Sequence, residues 1–408
     1  MPSESISLDG HIVDSLTLSK VLDIILRENG KYRIESFEIG ATQLDMSHAQ
    51  IVVSADDSAQ LNHILHLIQQ HGATRHTGEA KLAVSTLHGV FPEGFYVTTN
   101  LVTHVRLEEN WILVDPIEMD CGVVVKNEVG VASATSVPMH RIRIGDKVVI
   151  GDSGVRVSPV ERPERSDGFT FMNSAVSSER SKERVITAIA ESMREAKKSG
   201  EKVLLVGGPA ILHTGASGNL EALINAGWID VLFAGNALAT HDIERALYGT
   251  SLGVELATGA SSAHGHEHHL RAINTIRRLG GIRQAVEAGI LKSGIMHALI
   301  VNKLDFVLAG SIRDDGPLPD VITDSMKAQD RMRELVAGVG VALMVATTLH
   351  SVATGNLLPA SVRTICVDSD ADSVIKLMDR GTHQAFGLVT DCEFFLKELA
   401  AQLIGGAK

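Results

Sequence analysis

The amino-acid sequence predicts an α/β protein. A doubly wound parallel-sheet domain over residues 170–408 follows a ferredoxin-like α+β unit over 1–90 and a small β-rich domain over 91–165. Three observations carry this expectation. Short apolar runs alternate with helical periodicity through the C-terminal half. Two amphipathic helical patterns, separated by strand-like pieces, occupy the first 90 residues. Between these regions, brief β-rich runs are broken by turn residues.

In the first unit, Leu18, Val21, Leu22, Ile25 and Leu26 share one helix face, with Thr17 as its cap and Gly30 as its stop. Leu61, Ile64, Leu65 and Ile68 mark a second helix, opened by residues 56–58 and ended by Gly72. Strand-like pieces at 32–39, 50–54 and 82–87 complete a βαββαβ order, that of a ferredoxin-like sandwich. Nothing in it looks catalytic, and a regulatory or oligomerising role is expected. The middle region carries β-rich runs at 104–107, 111–114, 122–125, 130–132 and 147–150, with Asp146 and Gly151 at turn positions. These predict a small barrel or sandwich, and residues 159–168, rich in Pro, Ser and charge, read as a linker. Strands are then expected at 202–206, 231–233, 306–308, 341–345, 364–367 and 386–389. Each is short and mostly apolar, as parallel strands buried on both faces are.

The chain has 408 residues, enough for two or three domains. Its 49 acidic and 37 basic residues give a net charge of −12, which argues against a non-specific grip on nucleic acid or on an anionic membrane. Cys121, Cys366 and Cys392 are dispersed and form no CxxC pair, so a reducing compartment is expected rather than a disulfide framework. No signal peptide, transmembrane stretch or internal repeat is evident, and a cytoplasmic location is expected.

In an open parallel sheet, ligands bind beyond the carboxyl ends of the strands. The six predicted ends run into Gly207-Gly208-Pro209, into Ala234, Gly235, Asn236 and Ala237, into residues 309–317, into residues 346–351, into Asp368, and into Thr390, Asp391 and Cys392. Small residues let backbone amides approach a phosphate at a helix N-terminus. An acidic residue such as Asp368 or Asp391 suits ribose hydroxyls. Each end alone is better explained as an ordinary turn or cap; six together shift the balance towards a nucleotide crevice. The G-x-G-x-x-G fingerprint is missing, because Pro209 follows Gly207-Gly208 and Gly215 and Gly218 come at the wrong spacing. A dinucleotide here would be bound in a non-standard way.

Several segments resemble one family: residues 10–18 (GHIVDSLTL), 91–96 (FPEGFY), 117–121 (IEMDC), 207–216 (GGPAILHTGA), 234–237 (AGNA), 241–244 (HDIE), 247–253 (LYGTSLG), 291–296 (LKSGIM), 308–320 (LAGSIRDDGPLPD) and 349–356 (LHSVATGN). Together they look like the archaeal-type ornithine cyclodeaminases, which share a region named after the lysine-ketoglutarate reductase/saccharopine dehydrogenase bifunctional enzymes. The likeness covers nearly the whole chain. It implies an NAD domain that is Rossmann-like and similar to deoxyhypusine synthase, which would account for the missing fingerprint. It also implies conversion of L-ornithine to L-proline and ammonia without net redox, and a homo-oligomer is expected. The cofactor positions it implies are Asn236, Ala237, Asp315, Thr347, Leu349, His350, Ser351, Asp368, Asp391 and Cys392. A saccharopine-type oxidoreductase, or a non-catalytic NAD-binding regulator using residues 1–90 as its interaction module, is the alternative.

The implied reaction needs a carboxylate-binding group, a holder for the terminal amine and a proton carrier whose pKa lies near the working pH. Lys292 suits proton transfer or carboxylate binding, or else is a solvated helix lysine. Arg313 suits the substrate carboxylate as a bidentate fork, or pairs with Asp314 or Asp320. Asp314 suits the δ-amine or acts as a base, or is simply a turn residue before Gly316-Pro317. Glu118, Asp120 and Cys121 end an apolar β-run and are further candidates, Cys121 more readily as a structural thiol. His213 beside Thr214 follows the first strand end and is a candidate substrate contact. The cluster His264, His266, His268 and His269 has ligand-type side chains but lacks flanking Cys or Asp at metal spacing, so a loop over the site is expected and no metal. His140 reads as a surface residue.

Overall fold

The computed structural model describes every residue except 11, 14–16, 41–44, 70, 76–77, 129–130, 159–181, 252–253, 256–266, 315, 381–384 and 406–408. The expected linker at 159–168, Asp315, His264 and His266 lie outside the described residues. The chain divides into two units, Met1–Ser166 with Leu358–Ser361, and Asp167–Leu357 with Val362–Lys408.

The first unit opens with β1 (Ser3–Gly10), α1 (Thr17–Arg27), β2 (Lys31–Glu38), β3 (Ser47–Ser54), α2 (Ser58–Gln69) and β4 (Thr74–Arg75). The sheet order β2-β3-β1-β4 is the ferredoxin-like one. Strand β3 alternates buried and half-buried residues, so Ala49, Ile51 and Val53 face one way. They pack with Ile6 and Leu8 of β1 against Val21 and Ile25 of α1 and the Leu61, Ile64, Leu65, Ile68 stripe of α2. The start of α2 is fixed by reciprocal capping. Asp57 accepts the Gln60 N–H at 2.8 Å and the Gln60 side chain accepts the Asp56 N–H at 3.1 Å.

Among the described residues, seven short strands come next: β5 (Lys81–Val84), β6 (Thr103–Leu107), β7 (Asn110–Leu113), β8 (Gly122–Glu128), β9 (Val131–Val137), β10 (Lys147–Ile150) and β11 (Val155–Val157). They form the sheets β5-β10-β8-β9 and β11-β6-β7. The piece at 82–87, expected to close the ferredoxin-like sheet, is corrected here: the closing strand is β4, and β5 pairs with β10 instead. A two-residue strand carries no periodicity, and the pattern of 82–87 marks a strand without naming its partner. Residues 358–361 return to this unit. Ala360 donates its N–H to the Asn100 carbonyl at 2.8 Å and is buried in the core of Val105, Val123, Val149 and Val157.

The second unit runs α3 (Lys182–Lys198), β12 (Lys202–Gly207), α4 (Ala210–His213), α5 (Ser217–Asn225), β13 (Val231–Gly235) and α6 (Asn236–Tyr248). A small hairpin of β14 (Thr250–Ser251) and β15 (Val254–Glu255) precedes α7 (His268–Leu279), α8 (Ile282–Glu287), α9 (Ile295–Val301), β16 (Asp305–Ala309), β17 (Val321–Ile322) and α10 (Ser325–Leu335). The remainder is β18 (Val339–Val345), α11 (Leu349–Leu357), β19 (Arg363–Asp368), α12 (Ala371–Arg380), β20 (Ala385–Val389) and α13 (Cys392–Ile404). Among the described residues, seven strands make one sheet in the order β17-β16-β13-β12-β18-β19-β20. Every pairing in it is parallel. All of β18 is buried, which explains why its sequence is an unbroken apolar run. From β12 the chain first builds outward through β13, β16 and β17, then restarts beside β12 with β18 and builds the other way. The strand order therefore reverses between β12 and β18, and the crevice for a ligand opens at their carboxyl ends.

Candidate active site

At that reversal the backbone is bare. Gly208 donates its N–H to the Val345 carbonyl at 2.9 Å. A Cβ on Gly208 would stand 1.8 Å from the Ala346 carbonyl oxygen, so only glycine lets these two strand ends come together. At the end of β13, a Cβ on Gly235 would lie 3.0 Å from His350 Cε1. Helix α6 starts directly on Gly235 with no side-chain cap, leaving its first amides and the positive end of its dipole for another acceptor. Asn236, 5% exposed, does not cap the helix. Its Oδ1 accepts the Leu318 N–H at 3.1 Å and the Thr240 hydroxyl at 3.3 Å, tying the start of α6 to the loop after β16. Ala237 is exposed.

Past β18, Thr347 Oγ1 lies 3.2 Å from His350 Nδ1, and the buried Ser351 donates its hydroxyl to the Thr347 carbonyl at 2.5 Å. Leu349, the first residue of α11, is 77% exposed. Burial lowers the His350 pKa against the opposing pull of Asp314, which favours the neutral imidazole. His350 thus meets the end of β13 at Gly235 and feels the charge of Asp314 from the loop after β16. At the ends of β19 and β20 the turn and cap roles account for both acids. Asp368 accepts the Asp370 N–H at 3.0 Å, while Asp391 caps α13 by accepting from Glu393 at 2.7 Å and Phe394 at 3.3 Å. The buried Cys392 thiol lies 3.2 Å from Thr214 Oγ1, and its pKa is raised chiefly by desolvation.

The loop after β16 is a tight turn. Asp314 accepts the Ser311 N–H at 2.9 Å and returns its own N–H to the Ser311 carbonyl at 3.1 Å. The exposed Arg313 is anchored through its backbone, donating N–H to Ser311 Oγ at 3.1 Å. Asp320 accepts the Ile282 N–H at 2.9 Å, which engages it elsewhere. Lys292 is exposed and stands in the connection between α8 and α9, not on a helix. No described hydrogen bond or ion pair joins it to Arg313 or Asp314.

A constellation that the sequence did not disclose lies on the same side of the sheet ends. The buried Glu244 carboxylate accepts His241 Nδ1–H at 2.9 Å through one oxygen and the Thr250 hydroxyl at 2.9 Å through the other. Thr250 Oγ1 also lies 2.8 Å from His268 Nδ1. His213, at the end of α4, packs edge-on to His241 with ring centroids 5.1 Å apart, and His269 is 6.4 Å from His241 on another side. Desolvation, and secondarily the neighbouring His241, lower the His213 pKa while Glu244 opposes them. The signal available in the sequence was the pair His241 and Glu244 three apart on a helix. Among the described residues, no group of three or more His, Cys, Asp or Glu is arranged to hold a metal. Glu118, Asp120 and Cys121 belong to the first unit, where Thr98 Oγ1 accepts the Cys121 N–H at 3.0 Å and Cys121 is buried. His140 is half-buried in a short helical turn.

Comparison with known proteins covers the chain in three pieces. Residues 187–399 match a family described as arginine dihydrolase ArgZ-like, C-terminal, Rossmann fold. Residues 3–101 match the LOR/SDH bifunctional enzyme conserved region, and residues 102–186 the ArgZ-like C-terminal first region. An ornithine cyclodeaminase of Methanopyrus kandleri is 51% identical over 402 residues, covering 98% of this chain and 97% of the relative. That of Methanocaldococcus jannaschii is also 51% identical, covering 98% and 95%. Among solved structures, apo ArgZ, a cyanobacterial arginine dihydrolase, superposes with a TM-score of 0.85 at 35% identity over 100% of this chain, which spans 59% of the ArgZ chain. The ternary complex of AgrE with ornithine and NAD+ superposes with a TM-score of 0.54 at 37% identity, over 100% of this chain and 58% of that one.

Proposed function

The chain belongs to the archaeal-type ornithine cyclodeaminase family, and from that membership we propose that it converts L-ornithine to L-proline and ammonia with NAD as a catalytic cofactor. The observation that carries this reading is the near-full-length identity, at about half of all positions, to curated ornithine cyclodeaminases.

The described residues fit the cofactor. A cradle without side chains at Gly208 and Gly235, beside the uncapped start of α6, offers amide donors to a diphosphate. Asn236 and Ala237 would hold it on one side, and Thr347, Leu349, His350 and Ser351 on the other. Asp368 and Asp391, beside their turn and cap roles, and Cys392 would add to the site from the ends of β19 and β20; Asp315, outside the described residues, is assigned from the family likeness alone. When bound, NAD accepts the two electrons of the substrate Cα–H bond and restores them at the end of the cycle. The chain's own groups must do the rest. Arg313, with a guanidinium free of the backbone, would fix the substrate carboxylate. Asp314, held on Ser311, would receive the terminal ammonium, and Lys292 would assist in proton transfer. Burial lowers the His350 pKa and so disfavours a positive charge beside the cofactor.

We read the protein as a cytoplasmic lyase of proline biosynthesis that works as a homo-oligomer. No helix among the described residues is long and apolar enough to cross a membrane. The three buried free cysteines suit a reducing compartment. Tyr32, Ile34 and Phe37 on β2 remain 37%, 39% and 38% exposed, an apolar edge suited to a second copy.

The deciding experiment incubates the purified protein with L-ornithine and a catalytic amount of NAD. Equimolar proline and ammonia without net reduction of NAD is the expected result; ammonia without proline, or stoichiometric reduced cofactor, would overturn it.

A further inference from the structure

A carboxylate inside an apolar core is costly. Glu244 is fully buried, and desolvating an ion costs several kcal/mol that hydrogen bonding only partly restores. An apolar residue of the same size would serve the fold at least as well. The arrangement has a clear chemical consequence instead. The Glu244 carboxylate takes Nδ1–H of His241, which fixes the neutral ring as the tautomer whose Nε2 carries the lone pair. This is the base-with-orienter pattern of groups that move protons. His241 lies five residues beyond the start of α6, whose N-terminus stands at the crevice, and its side chain is 12% exposed. Among the described residues, His213 at the end of α4 and His269 on α7 bring titratable rings against it from neighbouring elements. Behind Glu244, Thr250 and His268 continue the chain of hydrogen bonds toward the protein surface.

We propose that His241 is the proton carrier of the reaction, and that Glu244 is its positioning residue, itself steadied by Thr250. This inference rests on the ornithine cyclodeaminase reading. In that reaction a bond forms from the δ-nitrogen to Cα and the bond from Cα to the α-nitrogen breaks. The δ-nitrogen must lose a proton to attack, and the α-nitrogen must gain one to leave. Nε2 of His241 takes the first proton and delivers the second. Bound NAD would hold the electrons of the Cα–H bond and restore them there, so protons, electrons and atoms all balance without a further reactant.

The test uses the full-length protein with NAD and variants at three positions. His241→Gln should lower kcat for proline formation at least a hundredfold, with KM for ornithine and the NAD dissociation constant within threefold of the parent. Glu244→Gln should lower kcat more than tenfold and displace the acid limb of the pH–rate profile. Thr250→Ser, which keeps the hydroxyl, should retain most of the activity that Thr250→Val loses. An independent readout is the ¹⁵N spectrum of the histidine rings in protein without NAD. The parent should show His241 protonated at Nδ1, and Glu244→Gln a mixture of tautomers. Parent-like kcat in His241→Gln, or an unprotonated Nδ1 in the parent, would overturn the proposal. A parent that makes no proline from ornithine would overturn the functional reading, and this inference with it.

Discussion

The Asp242 carboxylate occupies the space that Gly294 leaves by having no side chain: a Cβ on Gly294 would stand 2.8 Å from both of its oxygens. Those oxygens accept the N–H groups of Ile295 at 2.9 Å and Met296 at 2.8 Å, so a residue in the middle of α6 caps α9 from a distance in sequence. Gly294 also has φ of +101°, where side chains are disfavoured. The substitution Gly294→Ala is expected to cost about 2–3 kcal/mol, from strain and clash together. Urea denaturation at pH 7 measures this. Because the loop it shapes carries Lys292, proline formation should fall more than stability alone accounts for.

Asp242 also predicts a pH dependence of stability. Burial pushes its carboxyl up to about 6 from 3.8, although the two amide hydrogen bonds oppose the shift. The folded chain then keeps a proton that the unfolded chain releases, and its stabilising effect is complete below pH about 4 and lost as pH rises through about 6. A rise of this size corresponds to about 3 kcal/mol. Denaturation across pH 4–6 should show Asp242→Asn losing this part of the slope; identical slopes in parent and variant would refute it.

The cradle predicts a binding defect separable from folding. Gly235→Val places two methyl groups against His350, whose ring already stands 3.0 Å from the Cβ position. NAD affinity measured by titration calorimetry should drop at least tenfold, while the melting temperature changes by only a few degrees.

Arg313 is exposed and anchored through its backbone, so Arg313→Gln should leave folding and NAD affinity unaltered. If it clamps the substrate carboxylate, KM for ornithine should rise at least tenfold, in keeping with the loss of a charge-assisted fork. Unchanged KM would remove Arg313 from the site.

The cysteines predict inertness. Cys121, Cys366 and Cys392 are all buried, and burial pushes the Cys366 thiol up to about 12. Iodoacetamide at pH 8 should label the native protein at less than one thiol per chain by mass spectrometry, and all three after denaturation.

Much of the second unit was legible because the middle of its sheet, above all β18, is buried on both faces. Such strands read as unbroken apolar runs, and the six expected ones correspond to β12, β13, β16, β18, β19 and β20. Strands with few apolar residues escaped. β1 contributes Ile6 and Leu8 between serines and acids, and β17 is two residues long. The strand ends were visible as small and acidic residues, yet their individual roles were not. Asn236 holds Leu318, 82 residues away, and no local pattern encodes that pairing. Asp391 looks in sequence like a ribose ligand and a helix cap alike, and the cap is plain in the structure. The histidine constellation joins α4, α6 and α7, so its members were seen separately and their convergence was not.

Residues 358–361 leave the second unit after α11, give Ala360 to the core of the first, and return to β19. The covalent chain therefore passes between the units more than once, and no single cut yields both intact. A gene shortened to residues 1–166 would encode a β core lacking Ala360 and leave the Asn100 carbonyl without its donor. Exchange of either unit between relatives by recombination needs two further breakpoints four residues apart. A lesion in this short excursion would therefore be felt in a part of the molecule remote from it in sequence.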